Sequence, residues 1–304
     1  MLSLSFSRLS NAQGDGARVL TFSGNVEYRC SLNQPWKKIQ VGESLKRDCE
    51  INLAENSYAG LLFKDNRTLE LIEPGKFKVK ELEENLRKSE NSVINKFTNY
   101  IVQEIIADKS EKKDMKTFAA VVRVRPNHID TAFPTFTNVL EPTLKLIWFD
   151  YPSSQKYILS ILNAENISVF MDLVEDTTFT LDTEKLNLTR GKIYKWLVFD
   201  AENAAIISDT INFMVVSEAE RIAISDTIQM INSELEKNET ALAFISLGMF
   251  YEKNSLNIEA MSQYKKAITM VPESEEFKKL YAKFLLKQKW YVLISELFED
   301  KLIN

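Results

Sequence analysis

Between Leu247 and Pro272 the chain reads LGMFYEKNSLNIEAMSQYKKAITMVP, and the placement of small and large residues in this stretch constrains the fold most strongly. Apolar residues recur at helical intervals on both sides of a polar turn, which predicts two short amphipathic helices. Gly248 and Ala260 let the two backbones approach closely, and Tyr251 and Tyr264 fill the space beside them. Leu247 and Ala267 complete the apolar positions. Pro272 ends the second helix because it has no N–H to donate and its ring clashes with the preceding turn. One such pair cannot bury its own apolar face, so neighbouring helices have to cover it.

The flanking sequence supplies those neighbours. Ser217 and Glu220 have capping-box spacing, each side chain satisfying a backbone donor at a helix start. Ile224, Ile228, Ile231 and Leu235 then lie on one helical stripe. Beyond Pro272, Phe277, Leu280, Tyr281 and Phe284, followed by Trp290, Leu293, Ile294 and Leu297, predict a second helical pair. Residues 217–304 are therefore expected to form a five-helix domain.

With Phe244 near its start, the pattern Leu247, Gly248, Tyr251, Ala260, Tyr264, Ala267 and Pro272 resembles the tetratricopeptide repeat. That resemblance implies a protein-binding module whose partners lie against the first helix of each repeat. Here the outward stripe of that helix is Leu242, Ile245, Met249 and Glu252. It is the expected protein-binding surface for an amphipathic partner helix, unless the helix at 217–236 covers it. Repeats that clamp a peptide's terminal carboxylate carry Lys and Asn where this chain has Ile245 and Met249, so that clamp is not expected.

The first two thirds of the chain have a different texture. Six of its eight glycines precede residue 76, and short strand-like runs over 17–82 are separated by ENS, KDN and EPG, all turn-formers. An all-β domain is expected over 17–88. Gly24, Val26, Trp36, Gly42, Leu45, Asp48, Ile51, Ser57, Phe63, Asp65 and Leu69 are spaced so that this region resembles the FecR-type domain of bacterial envelope signalling proteins. Lys46-Arg47 departs from that family, which usually has Gly before the acid. The resemblance implies a periplasmic location and a membrane or regulatory partner.

Ile94, Phe97, Ile101 and Ile105 predict a connecting helix, and FAAVVRVRP an extended strand after it, in a linking segment at 89–125. From 126 to 216, strand-like runs with Trp148 in an early strand and Tyr194, Trp196 and Val198 in a late one resemble fibronectin type III and other immunoglobulin-like modules. Such aromatics fill a sandwich core; exposed, they would instead make a sugar-stacking platform. The expected fold is thus multidomain, β plus α.

Composition narrows the function. The net charge of −5 gives no overall basic field for nucleic acid. No apolar run approaches the roughly 18–20 residues that span a bilayer. Residues 1–16 resemble the end of an export signal or a flexible lead. Cys30 and Cys49 pair in an oxidising compartment and stay thiols in the cytosol. His128 has no cluster of partners in sequence and is expected on an exposed loop. Glu83–Glu84 and Glu275–Glu276 are expected as solvated acids. No phosphate loop, dinucleotide motif or nucleophile elbow occurs.

The expectation is a non-enzymatic periplasmic or cell-envelope scaffold or signalling adaptor, without cofactor or metal, whose partner is another envelope protein or peptide. The alternatives are a cell-wall glycan-binding protein and a cytoplasmic location.

Overall fold

The computed structural model describes residues 16–64, 67–86, 126–235 and 239–290, with 293, 294 and 297. Residues 1–15 of the expected lead at 1–16 lie outside them, as does the connecting segment from 89 to 125, whereas Gly16 opens the first strand. The chain divides into two compact units, residues 1–107 and 108–304.

The first unit carries strands β1 Gly16–Ser23, β2 Val26–Arg29, β3 Lys37–Lys38, β4 Ser44–Lys46, β5 Glu50–Leu53, β6 Tyr58–Phe63, β7 Thr68–Leu71 and β8 Gly75–Lys78. They form two four-stranded sheets, in the orders β4-β1-β6-β7 and β3-β2-β5-β8, with antiparallel pairing throughout. Val19, Leu45, Leu61 and Phe63 from one sheet meet Val26, Ile51 and Leu53 from the other in one core. Alternation of side chains across each strand directs those residues inward.

The link from β1 to β2 explains two of the sequence's turn residues. Gly24 has φ +73°, and a Cβ there would lie 2.5 Å from the Ser57 hydroxyl. That hydroxyl accepts the Asn25 amide at 2.9 Å, so a residue of the ENS turn fastens the Gly24 turn. Cys30 and Cys49 form a disulfide. The strand expected to run on to Leu82 instead stops at Lys78, and helix α1 spans Val79–Leu86. Leu82 and Leu86, four residues apart on one face, pack on the core. Glu83 pairs with Arg47 at 2.8 Å, so it is a docked acid and not a solvated one.

The second unit contains β9 His128–Ile129, β10 Thr131–Phe133, β11 Phe136–Val139, β12 Thr143–Trp148, β13 Tyr157–Leu162, β14 Ser168–Val174, β15 Thr178–Asp182, β16 Lys192–Asp200, β17 Ile207–Ser208 and β18 Ile211–Val215. The larger sheet runs β11-β18-β16-β13-β14, with β17 on β16 and β9 on β17; the smaller runs β10-β12-β15. Trp148 and Trp196 come from opposite sheets, are fully buried and lie 6.5 Å apart between ring centroids. They fill the core as the sequence predicts, which removes them as a sugar platform.

Among the described residues four helices follow, α2 Glu218–Leu235, α3 Ala241–Lys253, α4 Asn257–Met270 and α5 Glu275–Lys287, and most of the segment expected to form the fifth lies outside them. The capping box forms as expected. The Glu220 amide donates to Ser217 Oγ at 3.3 Å, and the Ser217 amide donates to Glu220 Oε2 at 3.1 Å.

The helices and the sandwich belong to one unit, and the joint between them is polar. β11 pairs with β18 on one side only. Its outer edge meets the turn between α3 and α4. The Asn138 amide donates to the Ser255 carbonyl at 2.8 Å, and the Asn138 side chain donates to the Asn254 carbonyl at 2.8 Å. Asn257 is buried; its side chain donates to the Phe136 carbonyl at 2.7 Å and to Gln288 Oε1 at 3.1 Å. Thr135 reaches the Gln288 carbonyl at 2.7 Å. Ile258 packs on the sandwich core itself. The helical turn thus satisfies backbone groups that an open strand edge would leave unpaired.

Candidate interaction surfaces

The helical pair packs much as its spacing requires. Leu247, Gly248, Tyr251, Ala260, Tyr264 and Ala267 are all buried, and Pro272 sits exposed just past the end of α4. A Cβ on Gly248 would stand 3.3 Å from the Tyr264 ring. The small residue therefore receives the tyrosine ring of the facing helix. Tyr264 continues into an aromatic cluster with Tyr281, Phe284 and Trp290.

Of the two readings of the stripe on the same helix, the structure shows the covered one. Leu242, Ile245 and Met249 are buried, and so is every residue from Ala241 to Tyr251. The cause lies in the sequence: ALAFISLGMFY is apolar around its whole circumference except at Ser246, and such a helix is a core helix. Glu252, the polar member of the stripe, accepts the Tyr264 hydroxyl at 2.8 Å and the Lys287 ammonium at 2.7 Å. It ties α3 to α4 and α5.

A half-buried acid lies near the joint. Glu259 Oε2, on α4, is enclosed and meets no hydrogen-bond donor. Burial, with a further push from the Glu141 charge, raises its pKa above the ordinary glutamate value, and Glu259 and Glu141 add to burial in pushing the Tyr251 phenol up to about 12. A carboxyl with a raised folded-state pKa leaves stability intact below the ordinary glutamate range. That stability is lost as pH rises through the raised value. Glu259→Gln is therefore expected to stabilise the second unit by roughly 1–3 kcal/mol at pH 7, the cost of an unsatisfied buried charge. The gain should vanish near pH 4; chemical denaturation at both pH values checks it.

His128 is not on an exposed loop. It lies on β9, largely buried, with Nε2 3.5 Å from Asp130 Oδ1 and 3.7 Å from Asp209 Oδ2. Trp36, half-buried in the first unit, carries the Arg29 guanidinium over its ring at 4.3 Å, and Arg29 pairs in turn with Glu50 at 2.7 Å. That ring face is occupied by a cation. Among the described residues, no group of three or more His, Cys, Asp or Glu is arranged to hold a metal ion.

The surface the sequence reading missed lies on β14. Val169, Met171 and Leu173 are 45%, 56% and 50% exposed, and Ile167 just before them is 62% exposed. They point away from the core, whereas Phe170 points inward and lies tilted against Phe179, with ring centroids 5.8 Å apart. Sheet register extends the patch: Leu173 lies opposite Ile158, Ile158 opposite Phe199 and Phe199 opposite Ile207. Scattered exposed apolar residues are ordinary, but a contiguous patch marks a contact surface. Among the described residues β14 is also the last strand of its sheet, so its outer edge has no ladder partner. The signal was present in ISVFMDLV, where Ile167, Val169, Met171 and Leu173 make one face wholly apolar while Phe170 and Val174 supply the core on the other. Its place at the sheet edge depends on strand order, which no local pattern specifies.

No family model and no curated protein matches the chain. Among solved structures it is similar to the FN1–FN3 domains of chicken CNTN1, at 10% identity and a TM-score of 0.23, over 70% of this chain. The match spans 58% of the length of that chain. No helix among the described residues is long and apolar enough to cross a membrane.

Proposed function

We propose that the chain is a non-enzymatic protein–protein interaction component of the bacterial cell envelope, acting as a scaffold or adaptor. The observation that supports this most is the apolar patch along β14, with Met171 and Leu173 at its centre. The contact surface moves from the helical module, where α3 is buried, to the outer face of the larger sandwich sheet. The Cys30–Cys49 bond fits an oxidising compartment, in keeping with the FecR-type resemblance of the first unit. The glycan-binding alternative loses its main requirement, because Trp148 and Trp196 are in the core.

The test is affinity capture from envelope extracts with the full chain. Met171→Lys together with Leu173→Lys should reduce recovery of the partner about tenfold, the effect of one modest hot spot. Ile222→Lys, at a half-exposed site on α2, serves as the control and should change nothing. Equal recovery by all three proteins would remove β14 as the contact surface.

A further inference from the structure

We propose that the open edge of β14 takes an extended protein segment in which a basic residue is flanked by apolar ones, with the basic residue seated opposite Asp172. This inference rests on the reading of β14 as the contact surface and specifies the partner's chemistry.

The edge's backbone sets the partner's form. The Val198 amide turns to Ser208 Oγ, away from β13, so the alternation of ladder groups through Leu159 and Asp172 points the Leu173 amide toward the open edge, where it donates to the Asp172 carboxylate at 2.9 Å. The two-residue period of a strand points the Met171 backbone groups the same way. An added strand satisfies these groups by ordinary ladder hydrogen bonds, which is recognition by β-augmentation.

Side-chain placement sets the partner's pattern. Directly opposed residues of adjacent strands share a face. A residue opposite Asp172 therefore projects to the side of Phe170 and Val174, at the rim of the core, while its two neighbours project to the side of Met171 and Leu173. Those neighbours are best apolar, since they extend the exposed patch. The residue between them meets Asp172, an exposed acid that accepts the next amide of its own strand. Nearby Glu175 is already paired with Lys156 at 2.7 Å, so Asp172 is the group left to select charge. A basic side chain draws the carboxylate off the Leu173 amide and frees that donor for the ladder. An acidic one leaves the amide blocked and adds like-charge repulsion. The same repulsion disfavours a second copy of this chain, which brings its own Asp172 to the edge.

The test uses the full chain and two fluorescein-labelled nine-residue peptides, one alternating valine with arginine and one alternating valine with glutamate. Fluorescence anisotropy should show the arginine peptide binding about tenfold more tightly. Asp172→Lys, at an exposed position, should reverse that order. Equal binding of the two peptides, or an order unchanged by Asp172→Lys, overturns the inference. So does a dimer in sedimentation equilibrium that disperses on Leu173→Lys, since the second copy then occupies the edge. Peptides that fail to discriminate, combined with partner capture that is still lost on Met171→Lys with Leu173→Lys, remove this inference and leave the proposed function standing.

Discussion

Replacing Trp196 with alanine should destabilise the second unit by about 3–5 kcal/mol, the usual cost of emptying a buried tryptophan site. Trp196 sits at the middle of β16, fully buried, with Trp148 against it and Ile161 opposite it on β13. The surrounding sheets cannot close over so large a void. More telling than the magnitude is the signal that reports it. The helices are joined to β11 by Asn138, Asn257 and Thr135, and Ile258 packs on the sandwich core. The substitution lies in the sandwich, yet helical circular dichroism should be lost at the same lowered denaturant midpoint as tryptophan fluorescence. Helical signal that keeps its original midpoint would show the helices folding apart from the sandwich.

Removing the Cys30–Cys49 bond should act on the other unit. The bridge closes a loop with a sequence separation of 19, and a loop of about that length contributes roughly 3 kcal/mol by restricting the unfolded chain. For a unit of about this size, that corresponds to a fall in midpoint of roughly 12–24 °C. Cys49 is buried in the core beside Ile51 and Val79, so alanine at both positions is a gentler replacement than serine. Calorimetry of the full chain should show one transition moving and one staying. Both moving together would mean that the two units melt as one.

The sequence disclosed element types better than it disclosed edges. Strand texture before residue 82 and helical texture after Ser217 follow from periods that neighbouring residues display, and the capping box at Ser217 was legible for the same reason. The Gly248–Tyr264 contact was nearly so, because a small residue facing a large one on paired helices is a local pattern. The stripe on helix α3 allows two readings, open to a partner or covered, and its spacing alone does not choose between them. The eleven residues from Ala241 to Tyr251 hold one polar side chain, and that composition alone describes a buried helix.

What stayed hidden depends on which strands lie at the ends of a sheet. Neither the covered edge of β11 nor the open edge of β14 can be inferred from either strand alone. Asn138 and Asn257 look like ordinary turn residues until residues 119 positions apart are brought together. His128 reads as a loop residue because its partner strand, β17, lies far along the chain.

Native-state hydrogen exchange tests the account most directly, since it reads both sandwich edges in one experiment. The Asn138 amide, bonded to the Ser255 carbonyl, and the Asn257 amide, bonded to Thr137 Oγ1, should exchange as slowly as amides of the central strand β16. The Met171 and Leu173 amides should exchange orders of magnitude faster. Fast exchange at Asn138 and Asn257 together with slow exchange at Met171 and Leu173 would contradict it, placing the open edge of the sandwich at the helices and not at β14.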